Sequence, residues 1–145
     1  MRKKLSIYFI HSQKDNFNEK LYLPVLRSDL LSFHNLIFPT SEKNKNKYYK
    51  DLMDTATLFV VDLTNADQGV NMELKQAIIS KKPILALADN SIGYEEKYTK
   101  LVKNVIGYST ESDVRYFVET FVKNYETKVN DKNEVDNSVV LGVLN

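Results

Sequence analysis

VVDLTNADQGVNMELKQA, residues 60–77, is the stretch that decides the fold predicted from this sequence. An apolar run that begins at Leu58 ends here in a polar turn containing Gly69, and a helical pattern follows directly. A strand that leads straight into a helix is typical of an open α/β sheet, in which ligands bind at the carboxyl ends of the strands. Three acidic residues cluster at this junction and are the first candidates for a functional site: Asp62, Asp67 and Glu73.

Glu73 is the strongest of these candidates. The helix predicted over residues 70–80 places it in the first turn, where the positive end of the helix dipole favours the ionised form of a carboxylate. An anionic carboxylate beside a ligand site can act as a nucleophile. The competing interpretation is structural, because acidic residues are also common at helix starts for capping and dipole reasons alone.

Bulk composition limits the classes of protein that need to be considered. The chain has 145 residues, of which 43% are hydrophobic, and these values predict one domain with a real core. A net charge of +1 gives no electrostatic reason to expect a nucleic acid polymer as partner. The absence of Cys excludes disulfides and thiol catalysis and is compatible with the cytoplasmic location that we predict. The apolar run over residues 5–10 is too short for a signal peptide or a membrane span.

Apolar runs alternate with helical patterns along the chain, which predicts βαβ units and an α/β fold. We expect a three-layer sandwich with a central parallel sheet of about five strands, in flavodoxin-like, doubly wound order. Pro24 marks a late start or a kink in the first helix. The predicted strands are residues 5–11, 35–38, 57–63, 83–88 and 105–108. The predicted helices are residues 18–31, 48–55, 70–80, 94–103 and 111–125.

The last part of the chain is predicted to lie outside the domain. We place the domain at residues 1–127, followed by a polar linker and an apolar C-terminal tail over residues 128–145. The apolar tip, residues 139–144, can fray, dock on its own domain or dock on a second subunit, and the sequence favours none of these.

Three fragments resemble the nucleoside 2-deoxyribosyltransferase-like family in their order and spacing. They are IYF at residues 7–9, KDL at residues 50–52 and DQGVNMEL at residues 67–74. The resemblance covers residues 5–108. It implies an N-glycosidic-bond enzyme that acts on 2′-deoxyribonucleosides or their monophosphates, by deoxyribosyl transfer or hydrolysis. It implies no metal and no cofactor, and it implies a homo-oligomer in which neighbouring subunits complete the active site.

The resemblance also implies roles for four residues. Glu73 would attack the anomeric carbon and form a covalent ester, as in retaining glycosidases. Tyr8 would orient that nucleophile, Asp51 would hold or protonate the base, and Asp67 would be a further active-site carboxylate. Each has a structural alternative: Asp67 as a helix cap, Asp51 as a solvated residue and Tyr8 as a core tyrosine.

Further residues are candidates for binding the substrate, because they follow the first strand or lie in the third fragment. They are His11, Ser12, Phe17, Gly69 and Asn71. Phe17, Tyr48 or Tyr49 could stack on a base. The Lys-rich residues 42–50 could reach a 5′-phosphate, although a solvated loop is the interpretation that composition favours.

Two other functions stay open at this point. FIHSQKD, residues 9–15, resembles the first strand and loop of TIR domains, some of which cleave NAD at its nicotinamide bond. A non-catalytic nucleotide-binding or assembly module of the same fold is the other. Lys75 stands where the resembled family usually has Gly, and the first loop is not Gly-rich, and both departures favour that second alternative.

Overall fold

Five parallel strands form the centre of the protein in the computed structural model, which describes residues 2–131. They pair in the order β2-β1-β3-β4-β5, with every neighbouring pair parallel. This confirms the predicted α/β fold with a flavodoxin-like parallel sheet. The strands are β1 (Ser6–Ile10), β2 (Asn35–Ile37), β3 (Leu58–Asp62), β4 (Ile84–Asp89) and β5 (Val105–Tyr108).

Helices cover both faces of the sheet and complete three layers. One face packs against α1, α2 and α5, and the other against α3, α4 and a 3₁₀ turn. The helices are α1 (Leu23–Leu26), α2 (Asp29–Ser32), α3 (Tyr49–Asp54), α4 (Gln68–Ser80) and α5 (Glu111–Asp131), with a π-helical turn (Asn18–Tyr22) before α1 and the 3₁₀ turn at Glu96–Lys100.

The central strands are apolar throughout because both of their faces are buried. In β1, Ile7 and Phe9 belong to the core beneath α1 and α5, whereas Tyr8 and Ile10 belong to the core beneath α3 and α4. This alternation follows from the two-residue period of a strand. It also aims the Tyr8 side chain at the layer that contains α4.

The first helical segment is broken where the sequence predicts one helix over residues 18–31. The break lies at Ser28, whose backbone is extended and whose side chain accepts a hydrogen bond from the Leu31 backbone N–H at 3.1 Å. Ser28 thus caps a new helix, since its hydroxyl satisfies a donor that no preceding turn can satisfy. Pro24 lies in the first turn of α1, where its missing N–H costs nothing.

Two further predictions of local structure differ from the protein. The helix predicted over residues 94–103 is only the short 3₁₀ turn, anchored by the fully buried Tyr98. The last helix reaches Asp131, so residues 128–131, predicted as the start of the linker, are helical. The apolar tip at residues 139–144 lies outside the described residues. None of the helices over residues 2–131 combines the length and the apolar character that a membrane span requires.

The strand order reverses direction at β1, because the chain moves outward from β1 to β2 and then returns to β3 on the other side. The ends of β1 and β3 are neighbours there, with Ile10 paired to Val61. The crevice at such a reversal is where open α/β sheets bind ligands. The residues that follow β1, β2 and β3 therefore surround the place to search for a site.

Candidate functional site

A cleft of about 430 Å³ opens at this edge of the sheet. Its size falls within the range of small-molecule sites, about 300–1,000 Å³. It lies between β1, the start of α4, α3 and the long connection that follows β2. The residues that line it are Tyr8, His11, Gln13, Pro39, Thr40, Lys45, Lys47, Tyr49, Leu52 and Glu73.

Glu73 and Tyr8 form a hydrogen-bonded pair in the wall of the cleft. The Tyr8 hydroxyl donates to Oε1 of Glu73 at 2.5 Å, a short distance that is typical of an O–H donor and a carboxylate. Tyr8 is fully buried in β1, and its ring packs edge-on against Phe59. The tyrosine is therefore held rigidly, and it fixes one oxygen of the glutamate. No other hydrogen bond to Glu73 occurs among the described residues, so Oε2 is unengaged.

Glu73 does not lie at the positive end of the helix dipole, so the prediction that the dipole favours its ionised form is wrong. The helix begins at Gln68, so Glu73 is its sixth residue and lies in the second turn, beyond the first-turn amides that carry most of the dipole effect. Burial raises the pKa of the Glu73 carboxyl above its ordinary value of 4.5, the hydrogen bond from Tyr8 partly offsets this, and the charge of Asp67 adds to the rise. The site thus holds a carboxylate that is more basic than usual.

The pKa of Tyr8 shifts in the direction that keeps it a donor. Burial, and then the negative charge of Glu73, raise the pKa of the Tyr8 hydroxyl well above its ordinary value. The raised pKa favours the protonated phenol, which can donate to the carboxylate.

Asp67 caps α4 and does not line the cleft. Its Oδ1 accepts the backbone N–H of Val70 at 3.0 Å, and its Oδ2 accepts the hydroxyl of Ser12 at 3.1 Å. Burial acts to raise the pKa of Asp67, but the hydrogen bonds from Val70, Ser12 and the backbone of Gln13 outweigh it and lower the pKa. The carboxylate thus joins the loop after β1 to the helix that carries Glu73.

We expect Asp67→Ala to lower the free energy of unfolding by about 1–2 kcal/mol, because it removes an N-cap and a hydrogen bond to a buried hydroxyl. Urea unfolding followed by circular dichroism measures this loss. Asp67→Asn should retain most of the stability, since Asn caps helices about as well as Asp. The matched control is Gln68→Ala, which alters the exposed neighbouring residue. A loss for Asp67→Ala no greater than for this control would contradict the capping role.

His11 lines the cleft with both of its ring nitrogens engaged. Nδ1 lies 3.2 Å from the backbone oxygen of Ser12, so it carries the proton, and Nε2 accepts from the hydroxyl of Tyr22, which also contacts Thr40 at 2.9 Å. Burial lowers the pKa of the imidazole. Phe17 stacks on the His11 ring with centroids 4.1 Å apart and does not line the cleft. The His11 side chain is therefore a neutral imidazole that these hydrogen bonds hold in place in the wall of the cleft.

The remaining predicted residues lie away from the cleft. Ser12 is fully buried, donating to Asp67 and accepting from the Lys14 backbone. Asp51 is exposed on α3. Gly69 is exposed in the first turn of α4, and Asn71 accepts a hydrogen bond from Tyr98 that fastens the 3₁₀ turn to α4. Within this chain, the fold places Tyr8, His11 and Glu73 at the cleft and gives the others different contacts.

Four residues that line the cleft were not predicted to lie there: Gln13, Pro39, Thr40 and Leu52. The signal that was available is topological: β2 lies next to β1 at the reversal, so the connection after β2 must begin at the same edge of the sheet. Leu52 could have been expected from the helical period, since α3 turns one side toward the sheet.

Lys75, the departure from the resembled family pattern, is exposed on α4 and does not line the cleft. Among residues 2–131, no group of three or more acidic, His or Cys side chains is arranged to hold a metal ion. No family model matches the chain, and no curated protein matches it. Membership of the nucleoside 2-deoxyribosyltransferase-like family therefore stays a prediction that depends on the three fragments.

Proposed function

We propose that the protein cleaves the N-glycosidic bond of 2′-deoxyribonucleosides or their monophosphates through a covalent intermediate on Glu73. The observation that carries the proposal is the Tyr8–Glu73 hydrogen bond of 2.5 Å in the wall of a ligand-sized cleft at the strand reversal. A half-buried carboxylate with one oxygen held and the other unengaged is the arrangement that an oxygen nucleophile requires.

The reaction divides into two displacements at one carbon. Oε2 of Glu73 attacks C1′ of the deoxyribosyl group, the C1′–N bond breaks, and its electron pair leaves with the base. The departing nitrogen takes up a proton from solvent. The resulting ester is then attacked at C1′ by water or by a second base, which releases the carboxylate and returns a proton to solvent.

Burial, rather than the helix dipole, supports the nucleophilic role of Glu73. A carboxylate with a raised pKa is more basic, and basicity favours attack on carbon as long as the group is ionised. The Tyr8 hydrogen bond stabilises the ionised form and so counters the cost of burial. The pair therefore combines a carboxylate of raised basicity with a donor that stabilises its anion.

We expect the protein to release free base when it is incubated with deoxynucleosides or deoxynucleoside monophosphates, since Glu73 can form and lose the ester. Chromatography of the four deoxynucleosides and their monophosphates, with and without a second free base, measures release and exchange. Ribonucleosides serve as the matched substrates. No released or exchanged base with any deoxy substrate would contradict the proposal.

Two further measurements distinguish the proposed activity from the two alternative functions. Nicotinamide release from NAD, with no base release from deoxynucleosides, would favour the TIR-like activity. Thermal stabilisation by a nucleotide without turnover would favour a non-catalytic binding module, because a ligand bound to the folded state shifts its apparent stability by mass action. The homo-oligomer and the cytoplasmic location remain predictions.

A further inference from the structure

We propose that Lys45 and Lys47 form an anion subsite that binds the 5′-phosphate monoester of the substrate, so that deoxynucleoside monophosphates rather than nucleosides are the preferred substrates. This inference rests on the proposed function of the same cleft. Both lysines line the cleft that contains Glu73, although they belong to a different part of the chain, the connection after β2.

The connection that carries these lysines is a folded turn. Asn44 is buried and its side-chain amide donates to the backbone oxygen of Phe38 at 3.1 Å. The backbone N–H groups of Lys45 and Lys47 donate to Ser41 and Asn44 at 2.8 and 2.9 Å. The solvated loop that composition favoured is therefore anchored from within, and its two lysine backbones are held at the rim of the cleft.

The charges of the two lysines are available to a ligand. Lys45 pairs with Glu42 at 3.0 Å, but the Glu42 side chain is 90% exposed, and a pair this exposed contributes little. No ion pair of Lys47 occurs among the described residues. The carboxylate that shares the cleft, Glu73, is hydrogen-bonded to Tyr8 on β1 rather than to a lysine. Both lysines thus line the cleft, and among the described residues only Lys45 has an ion pair, with an exposed carboxylate.

A phosphate monoester fits this subsite by charge and by position. It carries about −1.5 to −2 charges at pH 7, which two lysines can balance. A sugar whose C1′ meets Glu73 presents its 5′ substituent to another wall of the same cleft, and the wall with positive charge is the one formed by the loop after β2. Adding a phosphate to the substrate should therefore add binding without disturbing the reacting carbon.

The test compares kcat/KM for each deoxynucleoside and its 5′-monophosphate in the wild-type chain and in the double variant Lys45→Gln, Lys47→Gln. We expect the wild type to prefer the monophosphate, and the double variant to lose about tenfold or more of kcat/KM for it while changing about threefold or less for the nucleoside. Added NaCl should reduce the preference in the wild type, because rim charges are screened. Lys43→Gln is the matched control, since Lys43 is exposed on the same loop and does not line the cleft.

Each failure has its own signature. Turnover of nucleosides with no preference for monophosphates, or an equal loss in the Lys43→Gln control, would overturn the subsite and leave the proposed function intact. Absence of all base release would overturn the proposed function, and calorimetric titration of deoxynucleoside monophosphates would then decide the subsite alone. Nucleotide binding that is weaker in the double variant would support the subsite. No nucleotide binding, or binding of inorganic phosphate as tight as that of the nucleotide, would overturn it.

Discussion

Glu73→Gln is expected to lower kcat for base release by about 10⁴-fold or more, because an amide oxygen cannot form the glycosyl ester and loss of a nucleophile commonly costs rates of this order. The substitution conserves the shape of the side chain. The Gln carbonyl can still accept the hydrogen bond that Tyr8 donates to Oε1 in the wild type. Loss of turnover would then report the missing nucleophile and not a rearranged cleft.

Initial rates of base release measure this effect, and denaturing mass spectrometry of rapidly quenched reactions tests its cause. The wild-type chain should gain one deoxyribosyl unit during turnover, and the Glu73→Gln chain should gain none. Glu96→Gln is the control, because Glu96 is an exposed carboxylate on the 3₁₀ turn that does not line the cleft. Retention of most activity by Glu73→Gln would refute the covalent mechanism.

The same variant should be at least as stable as the wild type. Burial raises the folded-state pKa of Glu73, so the folded protein binds this proton more tightly than the unfolded chain does. Stability from this group therefore falls as the pH rises above the ordinary pKa of 4.5, and the ionised glutamate costs stability at neutral pH. A charge that lowers the stability of the fold is retained for function rather than for structure.

The sheet could be predicted because its strands carry their own signal. Residues 58–61 are apolar without interruption, as strands buried on both faces must be, and β3 extends from Leu58 to Asp62. Because these strands alternate with helical segments along the chain, only a few strand orders are possible for the sheet. The break at Ser28 was harder to predict, because the apolar period continues across it and only the side-chain cap reveals it.

Glu73 was predicted in the first turn of its helix, and the difference comes from where α4 begins. A start at residue 70 made Glu73 a first-turn residue, whereas capping by Asp67 adds two residues to the helix and moves Glu73 into the second turn. The capping residue determines where a helix begins. Several neighbouring polar residues in this sequence can serve as the cap, so the sequence alone does not identify the first helical residue. The sign of the pKa shift depended on burial by distant parts of the chain, and no local pattern contains that information.

Contacts between distant segments explain the other differences. Ser12 and Asn71 are polar residues in the predicted positions, but Asp67 and Tyr98 occupy their hydrogen-bonding groups. Conversely, Lys45 and Lys47 line the cleft from a connection in which Asn44 is buried, which its polar surroundings in the sequence do not suggest. Polar side chains take their partners from the whole fold, so a sequence identifies candidates more readily than it selects among them.

Tyr8→Phe is expected to move the acidic limb of the kcat/KM profile to higher pH and to lower activity at neutral pH by about 10- to 100-fold. In the wild type, the reactive carboxylate forms as the pH rises through a pKa that burial has already raised and that the Tyr8 hydrogen bond holds down. Loss of the hydroxyl leaves burial and the charge of Asp67 unopposed, so the pKa of Glu73 rises further. A smaller fraction of Glu73 is then ionised at any pH near the limb.

The profile should regain part of the lost activity at alkaline pH, because the variant still has its nucleophile and lacks only the donor that stabilises the anion. Rates of base release between pH 4 and pH 9 separate this outcome from simple damage, which lowers the whole profile without moving it. Tyr49→Phe is the matched control. Tyr49 lines the same cleft but does not form a hydrogen bond with Glu73, so the acidic limb of the kcat/KM profile should not move in this variant. An unmoved limb in Tyr8→Phe would mean that the 2.5 Å hydrogen bond does not control the ionisation of the nucleophile.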